Sequence, residues 1–231
     1  MVARDMTAAG GSGGGAGVPD GYGGYRARLV ETLRTRGVRD LAVLKAFAET
    51  PRHLFVPEGI RHRAYEDAAL PLGAGQTISQ PFTQARSLEA LRLTGPEKVL
   101  EVGTGSGYQT ALLAALVDQV FTVERLRPLA EAAQRALRAG GVTNVSLLIG
   151  DGTLGWSTYA PYDAIVVAAG GPEIPPPLLA QLAPGGRLLI PLGDRGSQRL
   201  TLVERAGGAV RQRAIGEAHF VPLLGGHGFD A

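Results

Sequence analysis

The chain has 231 residues, 45% of them hydrophobic, and a formal net charge of +2. This length and apolar content are typical of one globular α/β domain with a sizeable core. The small, scattered charge does not predict binding to nucleic acid or to a membrane surface. Because the sequence contains no cysteine, disulfides, thiolate metal sites and cysteine nucleophiles are excluded, and no metal site is predicted.

The N-terminal residues 1–22 are predicted to form a disordered glycine-rich tail. The run "AAGGSGGGAGVPDG" lacks the apolar segment of a secretory signal, and its composition cannot bury enough surface to fold. No apolar run in the chain approaches the roughly eighteen residues needed to span a bilayer. We therefore expect a cytoplasmic protein whose residues 23–231 form a single domain, with a helical segment at 23–95 and an α/β core at 96–231.

Three helices are predicted in the segment 23–95. The first runs from Tyr25 to Gly37, and the second from Asp40 to Glu49, both with apolar residues at helical spacing. A third begins at Pro81, which suits a first helical turn, and extends to about Leu93. Immediately before it lies "GQTISQP" (75–81), where a glycine, a proline and polar residues surround one apolar side chain, so the composition does not favour a strand.

Strands and helices alternate after residue 96, which predicts a parallel sheet covered on both faces. Right-handed crossovers then give a doubly wound sheet, with a ligand crevice at the carboxyl ends of its first strands. Helices are expected at Thr110–Val117 and from Pro128 to Gly140. The seven expected strands are Val99–Val102, Val120–Val123, Val145–Ile149, Ala164–Val167, Arg187–Ile190, Leu200–Val203 and a segment around Phe220.

The first strand runs into a glycine loop with the pattern G-x-G-x-G. It is formed by Gly103, Thr104, Gly105, Ser106 and Gly107. Dinucleotide-binding proteins require a third glycine one position later, where this chain has a tyrosine, so a nicotinamide-dependent oxidoreductase is disfavoured. S-adenosylmethionine carries no phosphate and needs only close backbone approach to its ribose and amino-acid tail, which this loop permits.

Three acidic residues follow or precede the turns at this edge of the sheet. Glu101 can orient the glycine loop or reach the amine of the cofactor, and Glu124 can accept both ribose hydroxyls. Asp151, followed by Gly152, can accept from the adenine amino group. A single acid at a strand end is usually a helix cap. Such features at the ends of three consecutive strands predict a cofactor that contains adenosine for the core 96–231, and the glycine spacing favours S-adenosylmethionine.

Several stretches together resemble the protein-L-isoaspartate O-methyltransferases. They are "PRHLFVPE", "AYEDAALPLGAGQTISQP", "VLEVGTGSGYQTALLA", "GDG", "PYDAIVVAAG", "LAPGGRLLIPLG" and "HFVPLLG". The resemblance covers about Tyr25 to Phe229 and implies a Rossmann-like seven-stranded methyltransferase sheet with an N-terminal helical segment. It also implies methylation of the α-carboxylate of L-isoaspartyl residues in damaged proteins and peptides, which starts their repair through a succinimide. Phe82 and Thr83 depart from the family pattern, which bears on substrate fit.

By this resemblance Ser79 is the active-site serine. A carboxylate is already a nucleophile at neutral pH, so no general base is needed and positioning should supply most of the rate. The Ser79 hydroxyl can donate to one carboxylate oxygen, while Thr77, Ile78 and Gln80 can bind the substrate backbone. The alternative is that Ser79 or Gln80 merely caps the helix that begins at Pro81.

Four other functions are considered. Cytosine C5 methylation needs a cysteine nucleophile, and exocyclic amine methylation usually uses an N/D-P-P-aromatic loop where this chain has "AAGGPEIPP". A related carboxylate or small-molecule O-methyltransferase could share the whole core. A non-catalytic binding module is the fourth possibility. It would be suggested if Ser79 were replaced, but the serine is present. The expected partners are isoaspartyl proteins and peptides, with no nucleic acid and no membrane, and a monomer is expected.

Overall fold

The computed structural model describes residues 21–207 and 209–230, so most of the predicted tail lies outside the described residues. Two predicted helices open the described chain, α1 (Gly23–Thr35) and α2 (Leu41–Glu49). Asp40 caps α2, because its carboxylate accepts from the backbone N–H groups of the second and third helical residues at 2.8 and 3.2 Å. Both helices turn an apolar face to the core, and both predictions are confirmed.

A short hairpin follows, where the sequence did not favour a strand. Strand β1 (Leu70–Gly73) pairs antiparallel with β2 (Gln76–Ile78). Ala74 and Gly75 connect them with φ values of 50° and 69°, the geometry of a tight hairpin turn. The prediction was wrong here because the turn determines the pairing, and only the last residue of β2 is buried. The predicted helix at Pro81 follows as α3 (Pro81–Leu91).

The remaining chain builds the α/β core. Its elements are β3 (Lys98–Val102), α4 (Tyr108–Ala114), β4 (Gln119–Glu124), α5 (Arg127–Ala139), β5 (Val145–Ile149), β6 (Tyr162–Val167), α6 (Pro176–Ala180), β7 (Leu182–Gly193), β8 (Gln198–Ala206) and β9 (Ala209–Ala218). They form a seven-stranded sheet in the order β5-β4-β3-β6-β7-β8-β9. Strands β3 to β7 run parallel, and β3, β4 and β6 are buried almost throughout, as expected for strands covered on both faces. The first six predicted strands and the doubly wound, Rossmann-like sheet are confirmed.

The C-terminal end of the sheet differs from the prediction in two ways. Strands β7, β8 and β9 form an antiparallel meander, whereas alternation of strands and helices predicted parallel strands throughout. The seventh strand is β9, not the segment around Phe220. Nearly every residue of β9 is exposed, so this edge strand carries no apolar alternation from which it could be predicted.

The carboxyl ends of β3, β4, β5 and β6 meet at one edge of the sheet, and the hairpin β1–β2 approaches that edge. Among the described residues, no helix has the length and apolar character required to cross a bilayer.

Candidate active site

A cavity lies at this edge of the sheet, between the carboxyl ends of the parallel strands and the hairpin. The glycine loop after β3 forms one side of it, and β2 with the following serine forms another. Its walls are Gln76, Thr77, Ile78, Ser79, Gln84, Val102, Gly103, Thr104, Gly105, Ser106, Gln109, Val123, Glu124, Arg125, Leu126, Gly152, Ala168, Ala169, Val221, Pro222, Leu223 and Leu224. Most of the residues predicted for the cofactor and the acceptor therefore line the same cavity.

The glycine loop approaches the cavity with its backbone. Gly103, Gly105 and Gly107 have φ values of 94°, 54° and 84°, which side chains rarely adopt. The first two line the cavity with Thr104 and Ser106, whereas Gly107 caps α4 and packs against that helix's neighbour. A Cβ on Gly107 would lie 3.2 Å from the Cβ of Ala133 on α5. The backbone of Gly103 and Gly105 is therefore accessible from the cavity, while Gly107 allows α4 to pack closely against α5 on the other side of the loop.

Glu124 ends β4 and lines the cavity while only 5% exposed. Its Oε2 accepts from the N–H of Gly105 at 2.9 Å, and its Oε1 accepts from the N–H of Leu126 at 2.9 Å. Each carboxylate oxygen can accept a further hydrogen bond. Glu124 is therefore held in position by two backbone groups and retains acceptor capacity for a pair of ribose hydroxyls.

Glu101 lies behind the glycine loop and does not line the cavity. Its Oε2 accepts from the hydroxyls of Thr110 and Thr122 at 2.5 and 2.7 Å, and complete burial raises its pKa to about 7. The hydroxyl of Thr104 lies 2.7 Å from that of Thr122, so a chain of hydroxyl groups connects Glu101 to the loop. Glu101 was predicted either to orient the glycine loop or to reach the amine of the cofactor, and this arrangement favours the first role.

Gln109 is a residue of the cavity wall that was not predicted from the sequence. It is 7% exposed, lies on α4 and lines the cavity. Its side-chain amide interacts with the Glu101 carboxyl group and acts to lower the pKa of that group, and within the described residues Nε2 of Gln109 and Oε1 of Glu101 have no other hydrogen-bond partner. Because an amide nitrogen carries two N–H donors, Gln109 can interact with Glu101 and also donate to a polar ligand at the cavity wall. Together with the open loop backbone and Glu124, it fits the amino-acid and ribose parts of S-adenosylmethionine.

Asp151 follows β5 and does not line the cavity, although Gly152 does. Its Oδ1 accepts from the backbone and hydroxyl of Thr153, and its Oδ2 accepts from the N–H of Gly226 at 2.8 Å. Partial burial alone would raise its pKa, but the hydrogen bonds from Gly226 and Thr153 hold the pKa below the usual value. Asp151 thus fastens the C-terminal segment that lines the cavity with Val221 and its neighbours, a wall that was not predicted.

Ser79 is half-buried and follows β2, directly before α3. No hydrogen bond in the described parts of the chain involves its hydroxyl, and Gln80, the N-cap residue, makes no capping bond through its side chain. Asp67 performs this function instead: its carboxylate accepts from the N–H of Phe82 at 2.9 Å and from Nε2 of Gln80 at 3.2 Å. The alternative in which Ser79 or Gln80 caps α3 is therefore wrong, because a remote aspartate caps the helix.

The sheet, the glycine loop and the acid at the end of the second parallel strand define an S-adenosylmethionine-dependent methyltransferase. The sequence model of the family described as protein-L-isoaspartate(D-aspartate) O-methyltransferase matches residues 25–228. The chain therefore belongs to the protein-L-isoaspartate(D-aspartate) O-methyltransferase family, and the predicted family, enzyme class and cofactor are confirmed.

Relatives and solved structures agree with this assignment. The protein-L-isoaspartate O-methyltransferase of Hahella chejuensis is 51% identical over 203 residues, 87% of this chain and 96% of that protein. The enzyme of the same name from Geobacter metallireducens is 50% identical over 207 residues, 88% of this chain and 95% of the relative. A solved protein-L-isoaspartate O-methyltransferase aligns with a TM-score of 0.81 at 31% identity, over 88% of this chain and 67% of that one. A Plasmodium falciparum structure in complex with S-adenosyl-L-homocysteine shares the fold, with a TM-score of 0.77 at 24% identity over 87% of this chain and 98% of that one.

Proposed function

We propose that the chain transfers the methyl group of S-adenosylmethionine to the α-carboxylate of L-isoaspartyl residues in damaged proteins and peptides, with Ser79 holding the acceptor. The observation that carries this proposal is the position of Ser79: its hydroxyl makes no hydrogen bond to any residue that the structure describes, and it lines the same cavity as the glycine loop. Methoxide leaves the resulting methyl ester far more readily than oxide or hydroxide leaves the free carboxylate. Attack by the following backbone nitrogen then expels methanol and forms the succinimide.

The cofactor would lie along the glycine loop, with its ribose hydroxyls on Glu124 and its amino-acid tail near Gln109. When bound, it supplies a methyl group on a positively charged sulfur. Asp151 contributes chiefly by fastening the C-terminal wall, and Gly152 by leaving room: a Cβ there would lie 2.5 Å from Cγ1 of Val102. These residues bind and orient, and none of them needs to move a proton.

Ser79 and its neighbours would position the acceptor. With a pKa near 4, the acceptor carboxylate is ionised at neutral pH. Donation from the Ser79 hydroxyl to one oxygen leaves the other free to attack in line with the methyl–sulfur bond. The side chain of Ile78 is buried in the core and anchors β2. Strand β2 pairs only with β1 in this two-stranded sheet, so its other edge can pair with an extended substrate backbone at Thr77.

A second groove favours a peptide as the acceptor over a small molecule. It shares Thr77, Ser79, Ala168 and Val221 with the first cavity and continues along Gln80 and Phe82 to the end of β9. Its further walls are Arg36, Ala69, Thr83, Glu217, Ala218, His219 and Phe220. A small acceptor would need no such groove, whereas residues flanking an isoaspartyl group can occupy it. Protein clients, a monomeric state and a reducing cytoplasmic location, which the absence of cysteine suits, belong to the same proposal.

The test compares two peptides that differ only in the linkage at one residue, isoaspartyl or aspartyl, with labelled S-adenosylmethionine. We expect label in the isoaspartyl peptide alone, as a base-labile ester that releases methanol. Equal labelling of both peptides, or labelling of neither, would overturn the proposal. Preferential methylation of a small carboxylic acid would instead favour the small-molecule alternative.

A further inference from the structure

Arg52 is a fully buried arginine that lies beside the site and has no part in the proposed methyl transfer as described so far. It lies in a short 3-10 helix, Arg52–Phe55, and its exposed fraction is 0%. One terminal nitrogen, Nη2, donates to the carbonyl oxygens of Ser79 at 3.2 Å and Ala68 at 3.4 Å. The other, Nη1, donates to Oε1 of Gln84 on α3 at 3.3 Å. A single guanidinium group thus joins both ends of the hairpin to the helix that follows it.

The same guanidinium also contacts the cofactor side of the site. Its Cζ lies 4.7 Å from the ring centroid of Tyr108, the first residue of α4 and the residue that follows the glycine loop. Tyr108 is itself fully buried, and the rings of Phe47 and Phe55 pack around it at 6.0 and 5.7 Å. Arg52 therefore lies between the segment that carries Ser79 and the helix that begins at the glycine loop.

Burial of the charged Arg52 guanidinium is unfavourable, which argues against a purely structural role for this residue. Burial lowers the pKa of Arg52 to about 10, so the group stays charged at neutral pH. The Asp67 carboxylate attracts the guanidinium, which partly opposes this lowering of the pKa, but among the described residues no carboxylate lies within ion-pair distance of it, and Asp67 binds Arg36, Gln80 and the N-terminus of α3. A buried charge whose hydrogen bonds all go to neutral acceptors costs more free energy than an apolar side chain of similar volume. This cost is consistent with a role at the site.

We propose that Arg52 is a positioning residue for methyl transfer and acts through Ser79. By holding the carbonyl of Ser79, it fixes the backbone from which the hydroxyl projects. By packing on Tyr108, it sets this backbone relative to the glycine loop and therefore relative to the methyl donor. A shift of about 1 Å at the reacting atoms can lower the rate 100-fold. The contacts of Arg52 with Ser79 and Tyr108 should therefore affect turnover more than cofactor binding. The inference rests on the proposed function of Ser79.

A double-mutant cycle tests the inference. We expect Arg52→Met to lower kcat on the isoaspartyl peptide by about 10- to 100-fold, the scale of one charge-assisted hydrogen bond. In a Ser79→Ala background the same substitution should change kcat by less than about 3-fold, since the hydroxyl that it positions is gone. Arg52→Lys keeps the charge but cannot reach all three oxygens, so it should be intermediate. Arg135→Met, on the exposed face of α5, is the matched control.

Two further measurements do not depend on turnover. Affinity for S-adenosylhomocysteine, measured by calorimetry, should change by less than about 3-fold in Arg52→Met, because the glycine loop and Glu124 are intact. Amide exchange of residues 70–80 should accelerate by about tenfold or more, while that of residues 98–102 stays unchanged. If Arg52→Met does not fold, Arg52→Lys carries the same cycle, and millimolar methylguanidinium should restore turnover to Arg52→Gly.

The contrary results are equally defined. Fold-losses that multiply in the double variant would show that Arg52 acts independently of Ser79 and would overturn the inference. A parallel loss of cofactor affinity and melting temperature would show a general structural role and would overturn it as well. A wild-type enzyme that does not distinguish the two peptides contradicts the proposed function instead, whatever the cycle gives.

Discussion

The N–H of Gly105 donates to Oε2 of Glu124 at 2.9 Å and joins the glycine loop after β3 to the end of β4. Gly105 follows β3 and Glu124 ends the adjacent parallel strand β4, and we propose that each contributes a different part of the cofactor site. The glycine lets the backbone approach the ligand, while the carboxylate supplies acceptors. The hydrogen bond between them means that the loop conformation and the position of the carboxylate are coupled.

Replacing Glu124 with Ala should weaken S-adenosylhomocysteine binding by about 1.5–3 kcal/mol, because both hydrogen bonds to the ribose and the support of the loop are lost. Glu124→Gln should lose less, since one oxygen can still accept. Calorimetric titration measures both. Glu131→Ala, on the exposed face of α5, is the control. An unchanged dissociation constant for Glu124→Ala would assign Glu124 a structural role only.

Glu101 should make stability depend on pH. Its pKa is about 7 in the folded protein because of burial, above the usual value of about 4.3 in the unfolded chain. Between these values the folded state binds the extra proton, so the contribution of Glu101 is fully present below the lower pKa and is lost as pH rises through the upper one. Chemical denaturation of wild type and Glu101→Gln should show the variant gaining stability relative to wild type from pH 4.5 to 7.5, by about 3 kcal/mol.

The matched control is Glu131→Gln, whose stability relative to wild type should not vary with pH over this range. A constant difference between Glu101→Gln and wild type would mean that Glu101 is ionised in the folded protein throughout.

Asp67 should be more important for stability than either residue that was predicted as a cap. Its carboxylate accepts from the N–H of Phe82 and from Gln80, and it pairs with Arg36. Asp67→Ala removes the cap of α3 and leaves the Arg36 side chain without this partner, so we expect a loss of about 1–3 kcal/mol. Thermal or urea unfolding measures it. A variant as stable as wild type would show that water replaces these interactions.

The extent to which the fold could be predicted follows from burial. Strands β3, β4 and β6 are buried on both faces, so continuous apolar runs identified them, and Pro81 and Asp40 marked the starts of two helices. Strand β9 is exposed along nearly all of its length and gave no such pattern. The hairpin was missed for a related reason, since a two-residue turn with positive φ determines its pairing.

The site could be predicted where its residues are adjacent in sequence or end a predicted strand, as for Gly103 and Glu124. Contacts between distant segments could not be predicted. Asp67 reaches the N-terminus of α3 from 15 residues away, and Arg52 reaches Ser79 from 27 residues away. For Arg52, the signals were its position directly after Pro51 and its place in the family-like stretch "PRHLFVPE", and neither distinguishes a buried side chain from a surface one.

The last prediction concerns Ser79. Because Asp67 caps α3 and the Ser79 hydroxyl makes no hydrogen bond within the described structure, Ser79→Ala should leave the melting temperature close to wild type. Turnover on an isoaspartyl peptide should fall by about 10- to 100-fold, since the hydroxyl is expected to orient one oxygen of the acceptor carboxylate. Affinity for S-adenosylhomocysteine should barely change, because Glu124 and the glycine loop are the groups proposed to bind the cofactor. Turnover, calorimetry and thermal unfolding on this one variant separate the roles: a destabilised but fully active enzyme would contradict the catalytic role, whereas a stable, cofactor-binding and slow enzyme is the result that the geometry predicts.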